Sequence, residues 1–159
     1  MDSRFAIDGG VCNFVYLCIP KCNIAPMKSK ALGNLDVAQQ LINKNQNPSC
    51  TASIHCSYYA VFQYMKHVLA NIPKDPIPYE EQTKKHKGES SHDYMITQIG
   101  QRIKKTKNAR EFKQGVRALK RERIIADYGT KKFTAIESLE CKQKAEGLIN
   151  NLKTYFGNI

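Results

Sequence analysis

A single arginine interrupts the apolar stripe of a helix predicted near residue 120. The residues of that stripe recur every three or four positions, at Phe112, Val116 and Leu119. Arg123 continues the same line, and a guanidinium is costly to bury unless a carboxylate lies close to it. Asp127, one helical turn later, is within reach. The pair is therefore either a structural ion pair that closes a helical bundle, or part of an interior cleft or subunit interface.

If Arg123 and Asp127 belong to a cleft or an interface, the charge around Arg123 favours an anionic partner there. Residues 101–132 contain 12 lysines and arginines and three acids, so they carry +9 of the chain's formal charge of +11. A phosphate backbone is attracted by clustered positive charge, although a lysine-rich helix face can also serve solubility alone. The candidate residues for binding RNA, a nucleotide or a partner protein are therefore Lys120, Arg121, Arg123, Asp127 and Tyr128. Of these, Arg123 and Asp127 are also the candidates for any catalytic role.

Other motifs that bind metals or cofactors are missing from the sequence. The four histidines do not have the His-Glu-x-x-His spacing of a helical zinc site, and no glycine-rich phosphate loop is present. His55 and Cys56 are neighbours on a predicted helix and point about 100° apart, so they do not form a nucleophile–base pair. Three cysteines near the start could bind zinc, but inert thiols are the preferred interpretation of Cys12, Cys18 and Cys22. We expect neither a metal nor a cofactor.

Five predicted helices position the candidate residues. The periodicity of apolar residues indicates helices over about 35–42, 49–72, 91–105, 109–128 and 135–156. Asn34 is expected to cap the first of them, and an acid three residues later predicts capping boxes at Ser90, Asn108 and Thr134. The second helix has the widest apolar face and is expected to be central. Three prolines exclude regular helix after it, so residues 74–88 are predicted to form a long, charged, mobile loop.

These elements predict an all-α, up-and-down bundle in which short connections favour antiparallel neighbours. The chain has 159 residues, of which 42% are hydrophobic and 25% charged, which suits one globular domain. No apolar run approaches the ~20 residues of a membrane span, and cytoplasmic thiols are the default for so few cysteines. We expect the domain to cover residues 27–159. Residues 1–26 would be an irregular N-terminal extension of unknown role, without the positive flank of a secretion signal.

Three runs of sequence together resemble a known family. They are residues 53–62 (SIHCSYYAVF), 86–88 (HKG) and 123–128 (RIIADY). In this order, on five predicted helices, they are similar to the HEPN-domain proteins, small all-helical proteins of bacteria and archaea. The resemblance is to the stand-alone branch of the family, whose helix ends in Arg-x-x-Ala-Asp-Tyr. It covers about residues 35–156.

The resemblance implies a usually dimeric bundle with the arginine motif at or near the dimer groove. Many HEPN proteins are toxins of toxin–antitoxin pairs with a small nucleotidyltransferase-like partner, and several cleave RNA without metal. The family motifs add Ser53, Tyr59 and His86 to the candidate site. In the nuclease members, a histidine follows the motif arginine by four to six residues. Here position 128 is Tyr, and no histidine follows His92.

Three hypotheses for function follow. The leading one is a homodimeric helical module with little or no catalysis, which binds RNA, a nucleotide or a nucleotidyltransferase-like partner across a groove lined by Arg123, Asp127 and Tyr128. The second is a metal-independent endoribonuclease in which His86 or His92 is supplied from elsewhere in the bundle. The third is a structural subunit, in which the arginine pair only stabilises the fold and the lysines only keep it soluble.

Overall fold

The computed structural model describes residues 27–84, 88, 90–157 and 159. These residues form helices and no strand: α1 (Met27–Asn43), α2 (Asn47–Asn71), a 3-10 turn (Glu81–Thr83), α3 (Ser91–Arg102), α4 (Thr106–Tyr128) and α5 (Ala135–Phe156). The predicted all-α bundle of five helices is confirmed. The proposed extension, with its three cysteines, lies outside the described residues, and so does His86.

Helix α2 is the centre of the bundle, as its wide apolar face predicted. It packs against each of the other four helices. Its fully buried apolar side chains include Ile54, Tyr58, Val61, Met65 and Leu69. Burial on several sides explains why its apolar residues are not confined to one narrow stripe. Although α2 has 25 residues, neither it nor another helix in the described part of the chain is apolar enough to cross a membrane.

Contacts along the helices fix their directions. Asn34 of α1 donates to Gln63 of α2 at 3.0 Å, and these helices run antiparallel across the three-residue turn between them. Helix α4 is antiparallel to α3 in the same way, because Lys120 contacts Asp93 near the start of α3 whereas Lys113 lies over Gly100 near its end. The short connections therefore reverse the chain, as expected.

The alternation of direction is interrupted once, between α2 and α3. These helices run parallel, since Tyr58 in the middle of α2 meets His92 at the start of α3, and Ile72 and Arg102 line one cleft at their ends. The long connection over residues 72–90 makes this possible by returning the chain along the bundle. Helices α2 and α5 are parallel as well. One consequence is that α2, α3 and α5 all end on the same side of the molecule.

Two of the four predicted helix caps are confirmed and two are wrong. The hydroxyls of Ser90 and Thr134 each accept the backbone amide three residues later, at 3.2 Å. Asn34, in contrast, lies inside α1, because Ala31 extends the buried face one turn earlier and the helix begins at Met27. Asn108 lies inside α4, which begins at Thr106. The apolar pattern continues upstream of Asn34, whereas the two residues of α4 before Asn108 are polar and exposed.

The first half of the connection between α2 and α3 is fastened to the bundle. Gln82 is buried, and its Nε2 donates to the carbonyls of Lys66 at 3.0 Å and Ile77 at 2.7 Å. The side chain of Ile77 is buried too, and its amide donates to Leu69 of α2 at 2.7 Å. The prediction of a mobile loop from residue 74 onward was therefore wrong for residues 77–83.

Candidate functional site

Helices α2 and α4 cross so that the candidate arginine faces two aromatic residues of α2. The Nε of Arg123 lies 2.6 Å from Oδ2 of Asp127, which gives the ion pair that the sequence predicts. Arg123 also donates through Nη2 to the hydroxyl of Tyr59 at 3.2 Å, and Nδ1 of His55 lies 3.1 Å from Oδ1 of Asp127. The guanidinium carbon of Arg123 also lies 5.6 Å from the centroid of the Tyr128 ring. We call these five residues the arginine cluster.

The arginine cluster lies at the edge of the protein, between core and solvent. The side chains of Arg123 and Asp127 are 15% and 18% exposed, whereas Tyr128 is 76% exposed. The Nε of Arg123 is buried and close to the carboxylate, but its N–H is not aligned for a hydrogen bond. Arg123 therefore holds Asp127 mainly by charge, and it gains cation–π contacts with Tyr59 and Tyr128.

His55 is the member of this cluster that sequence reasoning missed. An ionised carboxylate can only accept, so the Nδ1–H of His55 donates to Asp127 and the Nε2 of a neutral ring keeps its lone pair. The imidazole also packs on Tyr59, with 4.4 Å between the ring centroids. A signal was available: His55 lies four residues before Tyr59, on the same face of α2. What the sequence did not provide was the direction of α4 against α2.

A second histidine lies beside the arginine cluster, at the start of α3. Nδ1 of His92 is 2.5 Å from the hydroxyl of Tyr58, and its ring stacks on Phe62 with 4.3 Å between centroids. The next residue, Asp93, accepts a hydrogen bond from Lys120 of α4 at 2.8 Å. We call Tyr58, Phe62, His92, Asp93 and Lys120 the histidine group. It joins α2, α3 and α4 at one place.

The surroundings of the histidine group shift its pKa values in different directions. Burial lowers the pKa of His92 below its usual value, and the nearby charges of Lys120 and Arg123 add to this effect. Hydrogen bonds from Lys120 and Ser90 lower the pKa of Asp93. Burial raises the pKa of the Tyr58 hydroxyl. At neutral pH the group therefore contains a neutral imidazole beside an ionised carboxylate.

The remaining predicted site residues lie elsewhere. Ser53 is fully buried, and its hydroxyl donates to the carbonyl of Cys50 at 2.7 Å, so it does not belong to the surface cluster. Arg121 is exposed, two positions before Arg123 and about 200° round α4 from it. Cys56 follows His55 in the sequence, and burial raises the pKa of its thiol, which makes it a poor nucleophile.

Arg121 belongs to a row of cations along the outer face of α4. We call this row the basic stripe, and its members are Arg110, Lys113, Arg117 and Arg121. Within the part of the chain that the structure describes, none of them has a carboxylate within 4.0 Å. The same line on α4 continues to the exposed ring of Tyr128. Two acids of α4, Glu111 and Glu122, lie about 120–140° away from the centre of the stripe.

Exchanging Arg123 for methionine tests the ion pair. Arg123→Met should lower the free energy of unfolding by about 2 kcal/mol, between the values for exposed and fully buried pairs, because Asp127 keeps its contact with His55. Adding Asp127→Asn removes the unpaired charge and should restore at least half of the loss. Urea unfolding followed by circular dichroism measures both changes.

The matched control for this experiment is Arg121→Met. It removes the same charge from an exposed position of α4, and the free energy of unfolding should change by less than about 0.5 kcal/mol. If the double variant is no more stable than Arg123→Met, the ion-pair interpretation of Arg123 and Asp127 is contradicted.

The lowered pKa of His92 makes stability depend on pH. An unfolded histidine has a pKa near about 6.5, so between about pH 7 and pH 5 the unfolded chain binds a proton more readily than the folded one. The free energy of unfolding should therefore fall as the pH is lowered through this range. In His92→Gln, urea unfolding at each pH should show a smaller fall. An undiminished fall would show that other groups cause it.

Within the described residues, no group of three or more His, Cys, Asp or Glu side chains could hold a metal ion. No protein-family model, curated protein or solved structure matches this chain. The similarity to HEPN-domain proteins therefore remains a prediction from the three sequence runs, and the function must be inferred from the geometry of α2, α3 and α4.

Proposed function

We propose that this protein binds single-stranded RNA along the basic stripe of α4, with Arg123 and Tyr128 of the arginine cluster at the end of the bound strand. The observation that carries the proposal is the row of four cations without carboxylate partners, which leads to an exposed aromatic ring. The arginine cluster alone would not suffice, because the charges of Arg123 and Asp127 cancel.

The spacing of the basic stripe suits a phosphate backbone. Successive members are three or four residues apart on one helix, so neighbouring side chains lie about 5–6 Å apart at their bases. Lys113 extends its aliphatic stem over Gly100, where a Cβ would come within 2.7 Å of that stem. This contact holds the stem of Lys113 at the surface of α3. A strand following the stripe would exchange its counterions for these fixed charges.

An exposed ring at the end of the stripe favours a single strand over a duplex. Unpaired bases stack on aromatic side chains, whereas bases in a duplex are not available for such contacts. The ring of Tyr128 is exposed and is backed by the guanidinium of Arg123. In Arg123, one of five N–H donors makes a hydrogen bond within the described part of the chain, so others are available to a phosphate.

The homodimer and the nucleotidyltransferase-like partner that the resemblance implies are proposals as well. Ile124 and Ile125 support them, because they are 42% and 39% exposed beside the arginine cluster. An interface on this part of α4 would cover these apolar side chains and would place the cluster in a groove.

Removing two charges from the basic stripe tests RNA binding. Arg117→Gln combined with Arg121→Gln should weaken binding of a labelled single-stranded RNA of roughly 12 nucleotides, measured by fluorescence anisotropy over a range of salt concentrations. The slope of log K against log salt should decrease in magnitude by about 1.4, since each phosphate contact to a single strand contributes about 0.7. Both positions are exposed, so folding should not change.

The control for net charge is the pair Lys44→Gln and Lys144→Gln. These exposed lysines lie outside α4, and their loss lowers the net charge by the same amount. If both double variants weaken RNA binding equally, RNA responds only to the total charge of the protein. If the unmodified protein does not bind RNA even at low salt, the proposal is contradicted. Tyr128→Leu should weaken binding through lost stacking, whereas Tyr128→Phe should preserve it.

A second candidate function is cleavage of the bound RNA, and the contact between His55 and Asp127 favours it. Asp127 fixes the imidazole with Nε2 available, and 45% of the His55 side chain is exposed. This nitrogen could take the proton of a ribose 2′-hydroxyl, whose oxygen then attacks the adjacent phosphorus. The 5′-oxygen leaves and takes a proton from solvent, and the products are a 2′,3′-cyclic phosphate and a 5′-hydroxyl. Neither His86 nor His92 is needed for this first step.

Cleavage is tested with 5′-labelled RNA in the presence of a chelator. His55→Ala should reduce the rate by about 100-fold or more, as expected for loss of a general base, while RNA binding remains. The control is His67→Gln, which changes a histidine of α2 that contacts Ile159 instead of Asp127. Absence of a cyclic-phosphate product from the unmodified protein would exclude this candidate and leave the binding proposal in place.

A further inference from the structure

The end of the bundle opposite the arginine cluster contains a cleft. Its volume is about 470 Å³, and its walls come from the ends of α2, α3 and α5 and from the turn after α2. This size lies within the range of roughly 300–1,000 Å³ that is usual for small-molecule sites. The distance along α4 between this end and Arg123 is about 25 Å, so the cleft is separate from the arginine cluster, whereas the basic stripe begins closer to it, at Arg110.

One wall of the cleft is aromatic and apolar. Tyr155 and Phe156 of the last turn of α5 form it together with Ile72 and Pro73, which follow α2. Both rings are partly buried, and Tyr155 is held by an edge-to-face contact with Phe112, with 6.5 Å between centroids. Two rings and two aliphatic side chains suit the flat, apolar body of an aromatic ligand.

The cleft is also lined by positive charge. Lys74, Arg102 and Lys104 line it, with Asp75 as the one acid among the lining residues, so they carry a net charge of +2. The ends of three helices contribute partial negative charge, which Arg102 offsets by donating to the carbonyls of Gln98 and Asp75. In the described part of the chain, neither lysine has a carboxylate within 4.0 Å.

Arg102 also supplies a donor that the protein leaves unused. Its Nε is buried and has no hydrogen-bond partner among the described residues, although both terminal nitrogens of the guanidinium are bonded. A buried donor without a partner is unfavourable. Arg102 is also one of the residues that line the cleft.

We infer that this cleft binds a small aromatic anion. The ring of the ligand lies against Tyr155 and Phe156, and its carboxylate or phosphate is held by Lys74 and Lys104, with Arg102 behind them. The inference does not depend on RNA binding, because none of the lining residues belongs to the arginine cluster or the basic stripe.

Isothermal titration of the full chain with 1-naphthyl phosphate tests the inference. We expect one site per chain and at least tenfold tighter binding than for inorganic phosphate or for 1-naphthol, which each supply half of the ligand. A parallel titration with 2-naphthoate identifies the preferred head group. The inference is supported if either naphthyl anion binds more tightly than 1-naphthol and inorganic phosphate do. If 1-naphthol binds as tightly as both anions, the charged side of the cleft is not used and the inference fails.

Variants locate the site. Lys74→Gln combined with Lys104→Gln should weaken binding about tenfold, whereas Lys105→Gln combined with Lys107→Gln removes the same charge outside the cleft and should have little effect. Phe156→Leu should weaken binding of both naphthyl anions, with circular dichroism confirming that the helices remain. Arg123→Met should bind them as the unmodified chain does. If the two double-lysine variants bind the naphthyl anions with equal affinity, or if Arg123→Met no longer binds these anions, the assignment to this cleft is overturned.

Discussion

The carboxylate of Asp127 connects the two helices on which the candidate site depends. It is held by Arg123 from its own helix, and by His55 from α2 at a separation of 72 residues along the chain. Because the side chains of the ion pair are mostly buried, the charge of Asp127 needs both partners. The same contacts place Tyr59 under the guanidinium. Without this carboxylate, the arginine and the histidine would share only their separate contacts with Tyr59.

The arginine cluster has no net charge, although the sequence places its arginine within the most basic stretch of the chain. The stretch from residue 101 to 132 is strongly basic, but its most conspicuous arginine is neutralised, and Lys120 is neutralised by Asp93. The free positive charge is on the outer face of α4, where attraction to phosphate is sequence-independent and sensitive to salt. In the function that we propose, orientation and proton transfer are assigned to the arginine cluster, and affinity for a polyanion is assigned to the basic stripe.

Contacts within one helix could be predicted from the sequence, and contacts between helices could not. The periodicity of α4 predicted both its buried apolar stripe and the pairing of Arg123 with Asp127, since side chains four residues apart are neighbours on any helix. The contact with His55 depends on which way α4 runs against α2, and periodicity contains no information on direction. The role of Gln82 could not be predicted for a related reason. Its side chain holds the loop by donating to two backbone carbonyls, and such contacts leave no pattern in the sequence.

The direction of α3 determines how far apart the two proposed sites lie. Had a short turn joined α2 to α3, α3 would run the other way, and its end would not meet the ends of α2 and α5. The connection over residues 72–90 instead brings three helix ends together, which forms the cleft, and brings the start of α3 to the arginine cluster. Screening acts over about 8 Å at physiological ionic strength, much less than the roughly 25 Å between these ends of α4. An anion in the cleft therefore leaves the electrostatics near Arg121 and Arg123 almost unchanged, whereas Arg110, at the cleft end of α4, lies close enough to respond to it.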